Sequence, residues 1–514
     1  MKRIVVAVLA VVALLAFWGG PPPVGAQSGS ASGDPWTSLA AIPPARSPGA
    51  RAFIRPDAYR VLSLDQAALT AQLATVPVEP SPGQRPAGGG QVVSLPSPSG
   101  GMARFAVAES PIMEPGLAAK FPDIRTYSGQ GLDDPTATVR FDVSNQGFHA
   151  QVLSPEGAWY IDPYYHLDTS AYISYFKADL TANPHGDFSE ELVGAQGGLS
   201  GARPPVAERS GTKLRIHRAA FAASGEYTAF FGGTVAGAQA AIVTMLNRMD
   251  GIYENEVAVR MVLVANNNLI AYTNAATDPY DNTCNSASSN QAVVDGAIGS
   301  ANYDIGHVLT TGSGGCAFLR VVGVNGSKAK GTTGTSSPVS DPFTVDYVAH
   351  EVGHQYGGNH TFNGTGGSCN GNANAATAYE PGSGSTIQAY AGICGLDDLQ
   401  LVGTGATGAS DPYFHSVSFD EIVSHTTGGN PGDIGATNTG NAVPTAAAGA
   451  DGAIPASTPF LLQGAGTDAN GDTLTYDWEQ RDAGLRRALN NPQITAGPLF
   501  RSFVPTTSPV RYLP

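Results

Sequence analysis

The stretch HEVGHQYGGNH, residues 350–360, holds three of the chain's ten histidines. Charged residues make up only 13% of the sequence, so this clustering of titratable groups stands out from its background. On a helix, His350 and His354 lie four residues apart and project from one face, one turn above each other. That is the bite two imidazole nitrogens need on a single Zn²⁺. Glu351, beside them, is placed to take a proton from a reacting water rather than to bind the ion. Gly357-Gly358 ends the helix, because glycine accepts the left-handed conformation that turns the chain. His360 can then swing back as a third ligand. Three histidines leave the fourth tetrahedral position open, which is the arrangement of a catalytic zinc. The implied chemistry is hydrolysis, with the metal polarising a carbonyl and activating water and Glu351 as general base. A bare H-E-x-x-H is a weak signal, whereas the full H-E-x-x-H-x-x-G-x-x-H fixes five positions.

Several elements must hold these residues. Asp341-Pro342 predicts a helix start, with Asp341 as N-cap and Pro342 in the first turn. Val345, Val348 and Val352 then form the face that buries against a sheet. Upstream, KLRIHRAAFA (213–222) and VAVRMVLVAN (257–266) read as strands. Between them Ala241, Met245, Met249 and Ile252 mark the apolar face of a helix. A helix-like stretch at 290–299 follows, then YDIGHVLTT (303–311) and AFLRVVGV (317–324) as further strands. This β-α-β order predicts a mixed sheet with helices packed on it.

Length and composition bound the rest. A chain of 514 residues allows about three domains. Its 64 glycines and 37 prolines point to turn-rich β structure. A formal charge of −15, without any basic block, argues against nucleic acid or an anionic membrane as partner. Lys2 and Arg3 precede an apolar run from Ile4 to Trp18, and Val24-Gly25-Ala26 offers a cleavage site. The run falls short of the roughly 20 residues that span a bilayer, so 1–26 reads as a signal peptide and the protein as secreted. Residues 27–205 contain the β-like runs MARFAVAES, TVRFDV, FHAQVL and WYID and are expected to form a β-rich pro-region. PVEPSPGQRPAGGG (77–90) reads as a loop within it, and 194–211 as the linker out of it. The catalytic domain is expected over 206–428, a linker over 429–441, and a β-sandwich module over 442–514. The final VRYLP shows no evident closing strand, so the module reads as incomplete. DANGD (468–472) could hold Ca²⁺, the commoner reading being a polar hairpin turn.

Four cysteines in an exported chain favour two disulfides. Sequential pairing, Cys284 with Cys316 and Cys369 with Cys394, is the simplest of three connectivities. A zinc–thiolate site lacks the CxxC spacing it needs. With no cysteine ahead of Cys284, a pro-segment cannot cap the zinc with a thiolate.

Residues His350 to His360 resemble the zinc signature of the metzincin metallopeptidases. The wider string SDPFTVDYVAHEVGHQYGGNHTFN, with STIQAYAGICG and DPYFH after it, is similar to secreted bacterial reprolysin-like proteases. The resemblance implies an α/β (α+β) metzincin-like domain with a mixed sheet and an active-site helix, flanked by a β-rich pro-region and a PKD-like β-sandwich. It implies His350, His354 and His360 as zinc ligands, Glu351 as general base, and proteins or peptides as substrates. Metzincins set a methionine in a turn beneath the zinc, and Gln388 stands at that place here. Zinc binding is expected to survive this change, at some cost in stability. Tyr390 corresponds to a tyrosine that in some metzincins approaches the zinc or the oxyanion; its functional reading is oxyanion stabiliser and its other reading a core aromatic. His307, His415 and His425 read as packed or surface histidines. The competing function is an adhesive or glycan-binding surface protein with a weakened protease domain, suggested by Gln388 and the C-terminal module.

Overall fold

The structure is a computed structural model describing residues 34–84, 89–180, 211–312, 314–399, 410–428, 434–455, 457–484, 486–491 and 497–513. The expected signal peptide and nearly all of the 194–211 linker lie outside these. The first region is one antiparallel sheet: β1 (Trp36–Ser38), β2 (Arg60–Leu64), β3 (Gln91–Pro96), β4 (Met102–Glu109), β5 (Arg125–Gly131), β6 (Thr138–Ser144), β7 (Gly147–Leu153), β8 (Trp159–Tyr165) and β9 (Asp168–Phe176). Its strand order is β1-β2-β9-β8-β7-β6-β5-β4-β3. All four β-like runs read from the sequence fall on strands of this sheet. Short helices α1 (Gln66–Leu73) and α2 (Pro115–Ala118) interrupt the meander.

The second region holds β10 (Lys213–Ala223), α3 (Gly225–Phe230), α4 (Val235–Val257), β11 (Val259–Leu263), α5 (Asn285–Ala297), β12 (Ile305–Thr310), β13 (Gly314–Ala317) and β14 (Gly331–Gly334). The sheet order is β11-β10-β12-β14-β13. Among these five strands the pairing is parallel except for β13, which runs antiparallel to β14 at the edge. The mixed sheet expected from the β-α-β order is therefore present. Thr234 caps α4 by accepting from the Gly237 N–H at 3.0 Å, and left-handed Ala258 closes it.

Helix α4 is buried nearly all round, because the first region covers the flank that the mixed sheet leaves open. Ala241, Met245, Met249 and Ile252 enter a core shared with Ile112, Met113, Leu117 and Ile124 of the first region. Polar residues of α4 meet partners there: Arg248 pairs with Asp162 at 2.6 Å, and Asn247 accepts from Arg140 at 3.0 Å. The Met113 segment also bridges to Leu263 on the edge strand β11. From Pro35 onward the chain forms one compact unit.

Four expectations need correction. AFLRVVGV is not a strand beyond Ala317. Instead, the N–H groups of Arg320, Val321 and Val322 bond the carbonyls of His354 and Gln355, satisfying acceptors that a helix end leaves over. Asp341 stands at the N-cap with Pro342 after it, but its side chain makes no capping bond; its buried carboxylate takes Lys177 Nζ at 2.6 Å and the Tyr160 hydroxyl. The expected linker over 429–441 contains β15 (Ala436–Asn438), antiparallel to the start of β10. Last, VRYLP does supply a strand. Beyond the linker, β16 (Thr445–Ala447) pairs with β18 (Ala465–Thr467), and β17 (Phe460–Gln463) with β19 (Val510–Leu513). Among the described residues of 442–514, the strands form two two-stranded sheets. No helix among the described residues is long and apolar enough to cross a membrane.

Candidate active site

Residues Pro342–Ala349 form a π-helical segment that runs straight into α6 (His350–Tyr356). Wider π turns shift the backbone hydrogen-bond ladder. At the junction the Tyr253 hydroxyl, from α4, donates to the Ala349 carbonyl at 2.7 Å. Val345, Val348 and Val352 are buried in the shared core, as their spacing predicts. Gly357 has φ +108°, and the turn it makes brings His360 back under the helix.

The three histidines converge. His354 Nε2 lies 3.0 Å from His350 Nε2 and 3.1 Å from His360 Nε2. The opposite nitrogens each face a backbone carbonyl: His350 Nδ1 to Ile387 O at 2.6 Å, His354 Nδ1 to Gly358 O at 2.6 Å, and His360 Nδ1 to Asn372 O at 2.7 Å. A carbonyl only accepts, so each Nδ1 must carry the proton, and each Nε2 of a neutral ring then presents a lone pair. Three lone pairs about 3 Å apart repel unless a cation sits among them. The donor set fits Zn²⁺, which takes imidazole nitrogen in four-coordinate geometry. Among the described residues this trio is the group of His, Cys, Asp or Glu side chains gathered tightly enough to hold a metal ion.

Glu351 is fully buried beside the trio. Gly315 on β13 packs directly on its carboxylate, where a Cβ would stand 1.9 Å from Oε1. Any side chain at 315 would displace Glu351, a role that the sequence signalled only as one glycine in a glycine-rich run. Tyr390 is also buried, its ring 4.7 Å from that of His360, 5.8 Å from that of His350, and stacked on Phe362 at 4.5 Å. The space beside His350 and Tyr390 measures about 10 Å³, room for roughly one water.

The turn under the site is organised by Glu380, which the sequence did not single out. Its carboxylate accepts from the N–H groups of Ser385 and Thr386 and from the hydroxyls of Thr361 and Thr386. Glu421, from α7 (Ser416–Thr427), grips Asn359 next to the third histidine, accepting its backbone N–H at 2.8 Å and its side-chain amide at 2.7 Å. Burial pushes Glu421 up to about 7 against the pull of those bonds. The three histidines that the sequence set aside are packed: His307 bonds Gln355 and Thr333, His415 caps α7, and His425 faces the Val322 carbonyl. Asp468 and Asn470 accept backbone N–H groups of residues 470, 472 and 442, so DANGD is a polar turn and calcium gains no support.

Residues 213–399 match the profile of the metallo-peptidase family M12B, reprolysin-like. This segment is a metallopeptidase domain. Among solved structures, metalloproteinase-II from Bacteroides fragilis aligns over 71% of this chain and 96% of its own, at 10% identity and a TM-score of 0.37. No curated protein sequence matches the chain. In the metallopeptidase domain the cysteines pair sequentially, Cys284 with Cys316 and Cys369 with Cys394. The second disulfide anchors the loop that carries Asn372, whose carbonyl orients His360.

Gln388 lies under the helix, fully buried. Its Nε2 is 3.1 Å from His354 Nδ1 and 3.3 Å from Gly358 O, the carbonyl that His354 already uses. Oε1 receives no hydrogen bond and faces Gly353, where a Cβ would stand 2.1 Å away. An unsatisfied buried amide oxygen costs about 1–3 kcal/mol. Methionine has similar length and no such demand. Gln388→Met is therefore expected to raise Tm by a few degrees with metal bound, leaving peptide turnover in place. A lower Tm would show instead that the amide is needed to hold the Gly358 carbonyl that orients His354.

Proposed function

We propose that the chain is a secreted zinc-dependent endopeptidase acting on proteins or peptides. The observation that carries this reading is the convergence of three Nε2 lone pairs, each fixed by a carbonyl behind it. His350, His354 and His360 would hold the ion. A bound Zn²⁺ supplies a Lewis acid for the scissile carbonyl and lowers the pKa of water toward about 7. Glu351, seated between Gly315 and the trio, takes the proton of the attacking water and returns it to the leaving amine. Tyr390, packed on two of the ligands, donates to the oxyanion as the carbonyl carbon becomes tetrahedral. Export is supported by the n-region and apolar run of residues 2–18 and by two disulfides, which persist in oxidising compartments.

The first region fits a pro-region that also steadies the active-site helix. Lys177 and Tyr160 both hold Asp341, the residue at which that helix begins. The test of the activity is casein hydrolysis by the purified protein. Hydrolysis should vanish with a chelator and return with Zn²⁺. Activity that survives exhaustive chelation would refute a metal-dependent peptidase.

A further inference from the structure

A second cavity, of about 450 Å³, opens between the metallopeptidase domain and the C-terminal strands. Its walls bring together Glu256 from the last turn of α4, Tyr413 and Phe414 ahead of α7, and Asp477, Trp478 and Glu479 from the C-terminal region. Three carboxylates thus line a space with aromatic walls and no lysine or arginine among the lining residues. Arg511, close enough to influence Asp477, spends its guanidinium on the carbonyls of Trp478 and Arg501.

One buried polar atom on a residue lining this space has no partner. The Tyr413 hydroxyl makes no hydrogen bond although the residue is only 4% exposed. Glu479 uses Oε2 on the Ser416 N–H at 2.6 Å, lies 3.6 Å from His415 Nε2, and shares a carboxyl–carboxylate hydrogen bond with Asp477. Unmet groups of this kind ordinarily mark a missing partner. Burial raises Glu256 to about 8, with Glu479 and Asp477 adding repulsion and the Phe414 N–H opposing it. Arg511 and His415 lie near enough to act on these carboxylates, and further positive charge would relieve their repulsion.

What would supply it is larger than a bare ion. Among the described residues the carboxylates do not gather as the three histidines do. The volume falls within the range of roughly 300–1,000 Å³ typical of organic ligands. Carboxylates with tyrosine and tryptophan faces are the means by which proteins hold organic cations, and an ammonium group offers three donors. We propose that this cavity binds an alkylammonium group, gripped by Glu256 and Glu479 against the rings of Tyr413 and Trp478. The group belongs either to a lysine of a polypeptide or to a free amine. The pocket also connects to the metal centre. Tyr413 O accepts the Ile387 N–H at 3.1 Å, and Ile387 O orients His350.

The experiment is calorimetric titration of the full chain with 1,4-diaminobutane and, separately, with a short lysine-bearing peptide whose lysine is replaced by norleucine in the control. Saturable one-site binding of either amine is expected, weakened about tenfold or more in Glu479→Gln and Glu256→Gln. Binding of the peptide but not the diamine assigns the site to polypeptide lysines, and the reverse assigns it to free amines. Both variants remove mutual repulsion, so their Tm should equal or exceed that of the parent, which separates lost binding from lost folding. Absence of saturable binding to both amines, equal binding of the norleucine control, or unchanged affinity in both variants overturns the proposal.

Discussion

Glu351→Gln is expected to retain one zinc per chain and lose turnover by about 100- to 10,000-fold, the range for removing a general base. The side chain is fully buried, with Gly315 against its carboxylate, so its position is set by packing as well as by charge. Glutamine has the same shape and should occupy the same slot. What it lacks is basicity. A loss in kcat with KM nearly unchanged would locate the effect in the proton transfer rather than in substrate binding. Zinc content and Tm must be measured on the same sample, because a variant that loses the ion also loses activity. Near-parental hydrolysis by a zinc-loaded Glu351→Gln would show that the proton acceptor lies elsewhere. The prediction differs from that for Gln388→Met, whose effect falls on stability and leaves chemistry in place.

How far the sequence foretold this site depends on the range of the interactions involved. The placement of His350, Glu351 and His354 on one helix follows from i, i+4 spacing, and the turn at Gly357 from a glycine at a positive φ. Those are local rules. Gly358, four residues on from His354, is also local, but the other partners that complete the site lie farther along the chain: the Ile387 and Asn372 carbonyls, Gly315, and Glu380 beneath the turn. Backbone carbonyls carry no side-chain signature, and a glycine that protects a carboxylate reads like any other loop glycine. The same distinction explains the fold. Helix α4 was legible from Ala241, Met245, Met249 and Ile252. Its other face carries Asn247 and Arg248, and is buried because the first region supplies Arg140 and Asp162. Asp341 before Pro342 has the pattern of a helix cap, yet Lys177 and Tyr160 claim its carboxylate from another sheet. AFLRVVGV has the composition of a strand, but the carbonyls at the end of α6 attract its N–H groups more effectively than a sheet edge does. In each case a tertiary partner overrode a local preference.

His354→Ala is expected to abolish stoichiometric zinc. His354 is central: its Nε2 is the atom within 3.1 Å of both other Nε2 atoms, and its Nδ1 ties the end of α6 to Gly358. Removing it leaves two ligands and widens the space the ion would fill. Loss of an outer partner of a metal ligand costs roughly 10- to 100-fold in affinity, and loss of the ligand itself should exceed that. Metal analysis after gel filtration reads this directly. A structural explanation has to be separated, since alanine here also removes a buried ring. Chelator-treated parent protein supplies the comparison: if the ring matters mainly through the ion, its Tm should approach that of His354→Ala. Adding zinc should then restore stability to the parent and not to the variant, because ligand binding stabilises only a fold that can bind. Undiminished one-to-one zinc in His354→Ala would mean the ion is held by other groups. The convergence of the three histidines would then be packing alone, and the hydrolytic reading would lose its foundation.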